Sequence, residues 1–102
     1  MAQTAEGKVK AMLKSMFRKY RPDLYWFCPV QCGYGAAGLD FHCVYQGHAF
    51  MVETKGSMGG KLTPRQEATK LEMEKSGAEV FVVRCRENVD EVERWIQQKT
   101  SA

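Results

Sequence analysis

The chain lacks any apolar run near the ~20 residues a membrane span needs. Its opening Met1-Ala-Gln-Thr-Ala-Glu-Gly-Lys8 has no apolar stretch of the secretory kind. A cytoplasmic protein with no membrane partner is therefore expected. The four cysteines, at 28, 32, 43 and 85, lack the paired C-x-x-C spacing of a zinc ribbon. They are expected as buried thiols, with a metal or redox role for Cys28 and Cys32 as the alternative. Internal repeats and low-complexity tracts are absent, and the 3 prolines exclude a collagen-like chain. Neither sign of charge dominates: the net charge of +3 permits a polyanionic partner without requiring one. What is present, 102 residues with 44% hydrophobic and 26% charged, fits one folded domain over residues 1–102, with no room for a second core.

Val9, Met12, Leu13, Met16, Phe17 and Tyr20 fall at helical spacing, so residues 4–20 are expected as an amphipathic helix. Glu6 borders its apolar stripe. It either points toward the sheet or its rim, or is simply an acid in the first turn, favourable against the helix dipole. Leu24–Val30 reads as a buried strand that Pro29 confines to an edge or ends. Leu39–Tyr45 and His48–Thr54 alternate on either side of Gln46-Gly47, which predicts a hairpin. Thr63-Pro64-Arg65-Gln66 supplies an N-cap, an N1 proline and an N3 glutamine for a helix to about Ser76, stopped by Gly77. Glu79–Arg84 reads as a strand, and Asn88 is expected to cap a last helix carrying Val89, Val92, Trp95 and Ile96. The predicted order is αβββαβα.

Two motifs mislead. Gly33-Tyr-Gly35-Ala-Ala-Gly38 matches G-x-G-x-x-G but precedes a strand, whereas a dinucleotide site needs those glycines to open a helix. Gly60-Lys61 suggests a P-loop, yet Lys55 stands where the first glycine belongs and Leu62 where Ser or Thr must hold Mg²⁺. No nucleotide cofactor is expected.

The chemistry lies in Asp40 and in Glu53-Thr54-Lys55. If Gln46 and Gly47 form the turn, Tyr45 faces His48, and counting back makes Asp40 and Glu53 cross-strand neighbours. Lys55, two residues on, shares their face. Like charges with Cβ atoms ~5 Å apart are destabilising. A hard divalent cation, Mg²⁺ or Mn²⁺, would compensate, taking Asp40, Glu53 and a backbone carbonyl such as that of Thr54 as ligands. Lys55 could orient a water or stabilise charge on a phosphoryl oxygen. The plain alternative is a solvated strand face on which the three residues form a surface triad. The same face carries Val44, Ala49 and Met51, however, which suggests partial cover.

Gly-Leu-Asp40, the hairpin, Glu53-Thr-Lys55-Gly, Leu62-Thr-Pro-Arg-Gln66 and Phe81-Val-Val-Arg84, in that order, resemble the PD-(D/E)XK nuclease superfamily, and most of all its VRR-NUC branch of small replication and repair nucleases common in phages. The resemblance spans about residues 4–96. Leu39 replaces the proline that gives the motif its first letter, and the literal Pro22-Asp23 falls too early to serve. The resemblance implies an α/β (α+β) fold, a restriction-endonuclease-like αβββαβ core with a mixed central sheet flanked by helices, plus a C-terminal helix. It implies Asp40 and Glu53 as metal ligands, Lys55 as catalytic lysine, Gln66 near the active site and Glu6 as the acid of the first helix. Gln66 also reads as the capping partner of Thr63, and His42, on the face of Asp40, as a structural histidine or a phosphate or metal contact. Lys61, Arg65, Lys8, Lys10 and Lys14 are candidate contacts to nucleic acid. The expected activity is Mg²⁺-dependent cleavage of DNA, with branched DNA as preferred substrate, by a homodimer, in the host cytoplasm if the gene is a phage's. The rival is a non-catalytic nucleic-acid-binding module retaining the fold.

Overall fold

The computed structural model describes residues 4–29, 39–56 and 60–100. The elements are α1 (Ala5–Lys19), β1 (Leu24–Phe27), β2 (Phe41–Tyr45), β3 (His48–Thr54), α2 (Pro64–Lys75), β4 (Glu79–Val83) and α3 (Arg86–Thr100), in the order the sequence predicts. Both glycine-rich decoys, and Cys32, fall wholly or partly outside the described residues.

The strands form one sheet in the order β1-β2-β3-β4. β1, β2 and β3 run antiparallel in turn, and β4 pairs parallel with β3, so the sheet is mixed and the fold is α+β. Gln46 and Gly47 both have positive φ, 46° and 85°, as a tight two-residue hairpin turn requires. That turn fixes the register from Tyr45↔His48 to Phe41↔Val52. β1 is an edge strand ending just before Cys28-Pro29, where proline's missing N–H costs no ladder bond.

α1 is capped by the Thr4 hydroxyl, which accepts from the Gly7 N–H at 2.9 Å. It buries Val9, Leu13, Met16 and Phe17. α3 lies beside it and buries Val89, Val92 and Ile96. Phe17 meets Phe41 and Phe50 edge-on, with centroids 5.6 and 6.1 Å away, while Trp95 packs on Phe50 from α3. Complete burial of such a side chain contributes ~1.5–3 kcal/mol, so this face of the sheet is the core.

Two expectations need correction. α3 begins at Arg86, because the N–H groups of Asn88 and Val89 already donate to the Cys85 carbonyl. Asn88 is thus inside the first turn, and its Oδ1 reaches back to accept the Arg84 N–H at 2.9 Å. Of the described cysteines only Cys43 is buried; Cys28 is exposed and Cys85 half-buried, since the first lies past the end of an edge strand and the second at a helix start.

The opposite face is less covered. A parallel pair cannot be closed by a tight turn and needs a crossover; α2 supplies it, packing against β4 with no residue buried. A cavity of about 740 Å³ separates its Thr69 and Met73 from Ala49 and Met51 of β3. Farther out, Tyr25, Phe27 and Val44 are exposed. The crossover brings the first turn of α2 to the C-terminal end of β3, where Glu53, Thr54 and Lys55 lie.

Candidate active site

Asp40 stands one residue before β2, anchored by the fully buried Leu39. The ladder ends at Phe41↔Val52, and one further step of the same register would set Asp40 opposite Glu53, the pairing that the turn arithmetic predicts. Asp40 Oδ2 accepts the Thr54 N–H at 2.9 Å and the Thr54 hydroxyl at 2.6 Å. Glu53 is only 2% exposed, and the two carboxyl groups lie within hydrogen-bonding reach of each other. They are not a solvated surface triad.

Burial first, then the hydrogen bond and charge of Asp40, push the Glu53 carboxyl up to about 8, only partly offset by Lys55. Burial also works to raise Asp40, but hydrogen bonds from Glu53 and from the Thr54 side chain and backbone outweigh it, with the charge of Lys10 adding, so Asp40 stays below the usual carboxylate range. The pair therefore favours sharing one proton, with Glu53 the member driven toward its protonated form and Asp40 toward its ionised one.

Gln66 joins the acids to the lysine. Its Nε2 donates to Glu53 Oε2, and its Oε1 accepts from Lys55 Nζ at 2.9 Å. The same Oε1 accepts the Thr63 N–H at 2.9 Å, while the Gln66 N–H donates to the Thr63 hydroxyl at 3.1 Å. The capping box and the site contact, alternatives in the sequence, are thus made by one side chain. The helix cap fixes the amide, and the amide fixes Glu53 and Lys55 relative to each other.

Glu6 turns toward the rim of the sheet. Its Oε1 lies 3.5 Å from the Thr54 hydroxyl, whose single proton goes to the nearer Asp40, and its Oε2 is 4.0 Å from Lys10. Gly56 permits this approach: a Cβ there would stand 3.2 Å from the Glu6 nitrogen. Among the described residues no three His, Cys, Asp or Glu side chains converge as a metal cluster. Lys61, Arg65 and Lys8 are exposed and Lys14 half-buried; none of these four forms an ion pair among the described residues. His42 packs at a tilt against Phe27 with centroids 5.3 Å apart, its pKa lowered by burial and its Nε2 without a partner among the described residues.

The side chain of Thr54 was not legible beforehand. The sequence offered its carbonyl as a ligand, but its hydroxyl and N–H are what grip Asp40. Strand alternation puts Thr54 on the core face, away from Glu53, and only the curl of the chain at Asp40 brings the carboxylate around to it.

No protein-family model matches the chain, and no curated protein matches it. Among solved structures it is similar to a chain described as a VRR_NUC domain, with a TM-score of 0.76 and 26% identity, over 88% of this chain and 95% of that one.

Proposed function

We propose that this chain, which shares the fold of a VRR_NUC nuclease domain, hydrolyses phosphodiester bonds of DNA with the help of a divalent cation held by Asp40 and Glu53. The observation that carries the reading is the acid pair, with Glu53 buried and Asp40 half-buried, bridged through Gln66 to Lys55. A core site that holds a carboxyl protonated to about pH 8 is one where a cation can take the proton's place. The donors are all oxygen, which suits Mg²⁺ or Mn²⁺. The Thr54 carbonyl is a further candidate: its N–H already points at Asp40, and in a strand the N–H and C=O of one residue leave toward the same neighbour. A cation held there would polarise a phosphoryl oxygen and lower the pKa of a bound water.

The chain's own groups do the rest. Gln66 holds the Lys55 ammonium beside Glu53, where it can orient the attacking water or neutralise charge gathering on the phosphate. Thr54 keeps Asp40 ionised by donating twice to it. Glu6, whose Oε1 lies 3.5 Å from the Thr54 hydroxyl, would contact the water shell of such a cation. Lys61 and Arg65, beside the first turn of α2, with Lys8, Lys10 and Lys14 on α1, are the cations that meet the backbone of the substrate. Branched DNA is the substrate that the resemblance implies, and acting on two of its strands with one site per chain would call for a twofold dimer. A chain that sediments as a monomer at working concentration would exclude the dimer.

The test is cleavage of labelled single-strand, duplex, flap and four-way-junction DNA with Mg²⁺, Mn²⁺ or EDTA. Metal-dependent cutting by the native protein, abolished in Lys55→Ala and Glu53→Ala, is expected. Junction binding without cutting under any metal would instead make the protein a binding module whose acid pair is structural.

A further inference from the structure

Next to the acid pair the sheet places two cations side by side. The parallel ladder runs from Phe50↔Glu79 to Thr54↔Val83, and the Lys55 N–H, donating to the Val83 carbonyl at 3.0 Å, carries it on one step. Lys55 and Arg84 are therefore neighbours on adjacent strands, a like-charged arrangement that sheets disfavour. Arg84 is half-buried. One Nη donates to the Gly60 carbonyl, but among the described residues its buried Nε has no partner and no carboxylate forms an ion pair with it. Taking a guanidinium out of water without an anion is costly.

Arg84 borders a cavity of about 330 Å³, also lined by Lys61, Lys70, Val82 and Glu67. Lys70 is already paired with Glu74 at 3.1 Å, so Glu67 is the acid that opposes Arg84 and Lys61 across this space. We infer that this cavity, between β4, the segment at Gly60–Leu62 and the first turns of α2, is a phosphate subsite: it takes a phosphate of the nucleic-acid strand, with Arg84 as its principal donor. The unpartnered Nε, the absence of an ion pair to Arg84 among the described residues and the nearness of Lys55 all call for the same ligand, an oxyanion adjoining the reacting one. Guanidinium suits phosphate because its fork of N–H groups matches two oxygens. The inference rests on the nuclease reading for the identity of the strand, but binding there needs no cutting.

The experiment measures anisotropy of labelled oligonucleotides, with 5′-hydroxyl or 5′-phosphate ends, in EDTA over a range of KCl, with inorganic phosphate as competitor. Arg84→Gln is expected to weaken binding, to lower the salt slope by about one and to abolish competition by phosphate. Glu67→Gln is expected to tighten binding and strengthen that competition. Equal affinity for the two oligonucleotides assigns the subsite to an internal phosphate, and preference for the 5′-phosphate to a strand end. A folded Arg84→Gln with native slope and native competition overturns the proposal. If loss of the Gly60 contact unfolds that variant, unchanged binding by Glu67→Gln does so. A native protein that never cuts, yet shows these shifts, refutes the nuclease reading and leaves the subsite standing.

Discussion

Glu53→Gln should stabilise the metal-free protein at pH 8 while abolishing the proposed cleavage. Glu53 has a folded pKa of about 8 against an ordinary 4.5, so between those values the folded chain holds a proton that the unfolded chain has released. Its contribution is therefore fully present below about pH 4.5, falls as pH rises, and is lost above about 8. The full slope is ~1.4 kcal/mol per unit, but it tapers near both pKa values, so the window from pH 5 to 8 carries about 3 kcal/mol. Asp40, whose pKa is lowered, acts only at the acid end: its contribution is present above the ordinary carboxylate range and lost as pH falls below it. Glutamine reproduces the protonated acid, accepting from Gln66 and donating to Asp40, with nothing to titrate. Urea denaturation in EDTA at pH 5 and 8 should show the native protein losing about 3 kcal/mol, or roughly 10–20 °C in melting temperature for a chain this size, while the variant stays flat. Millimolar Mg²⁺ at pH 8 should restore the native protein and leave the variant unmoved. Parallel pH profiles for the two proteins would refute the placement of a buried, shared proton at this pair.

Three further substitutions probe the supports of the site. Thr54→Val removes the hydroxyl that donates to Asp40 while keeping the shape; a loss of ~1–2 kcal/mol in urea denaturation is expected, with weaker Mg²⁺-dependent cutting, and no change in either would remove Thr54 from the site. Gln66→Ala breaks both the cap and the bridge: ~1 kcal/mol of stability should go with the cap, but kcat should fall far more than stability explains, which single-turnover cleavage on folded protein would check. Gly56→Val forces a side chain against the Glu6 backbone, where even a Cβ would stand at 3.2 Å; a lower melting temperature and slower cleavage are expected, and a native melt would show that the loop yields freely.

The local features were legible because local physics sets them. Period-two alternation and the Gln46-Gly47 turn determine the hairpin register, and with it the meeting of Asp40 and Glu53, since a one-residue slip would turn every core side chain to the other face. The cap and proline at Thr63-Pro64 likewise determine where α2 starts. Local signals also mislead where several compete: Asn88 resembles a cap, but Cys85 accepts the first helical bonds and the asparagine reaches back from within the turn. What the sequence by itself determined was therefore the order of elements, the hairpin and the pairing of the two acids. Tertiary structure alone decided that Gln66 bridges Glu53 to Lys55, that Thr54 holds Asp40, and that Lys55 lies beside Arg84. The reason is that an antiparallel register can be counted through a turn, whereas the parallel register of β3 and β4 depends on how a 12-residue helix packs across the sheet.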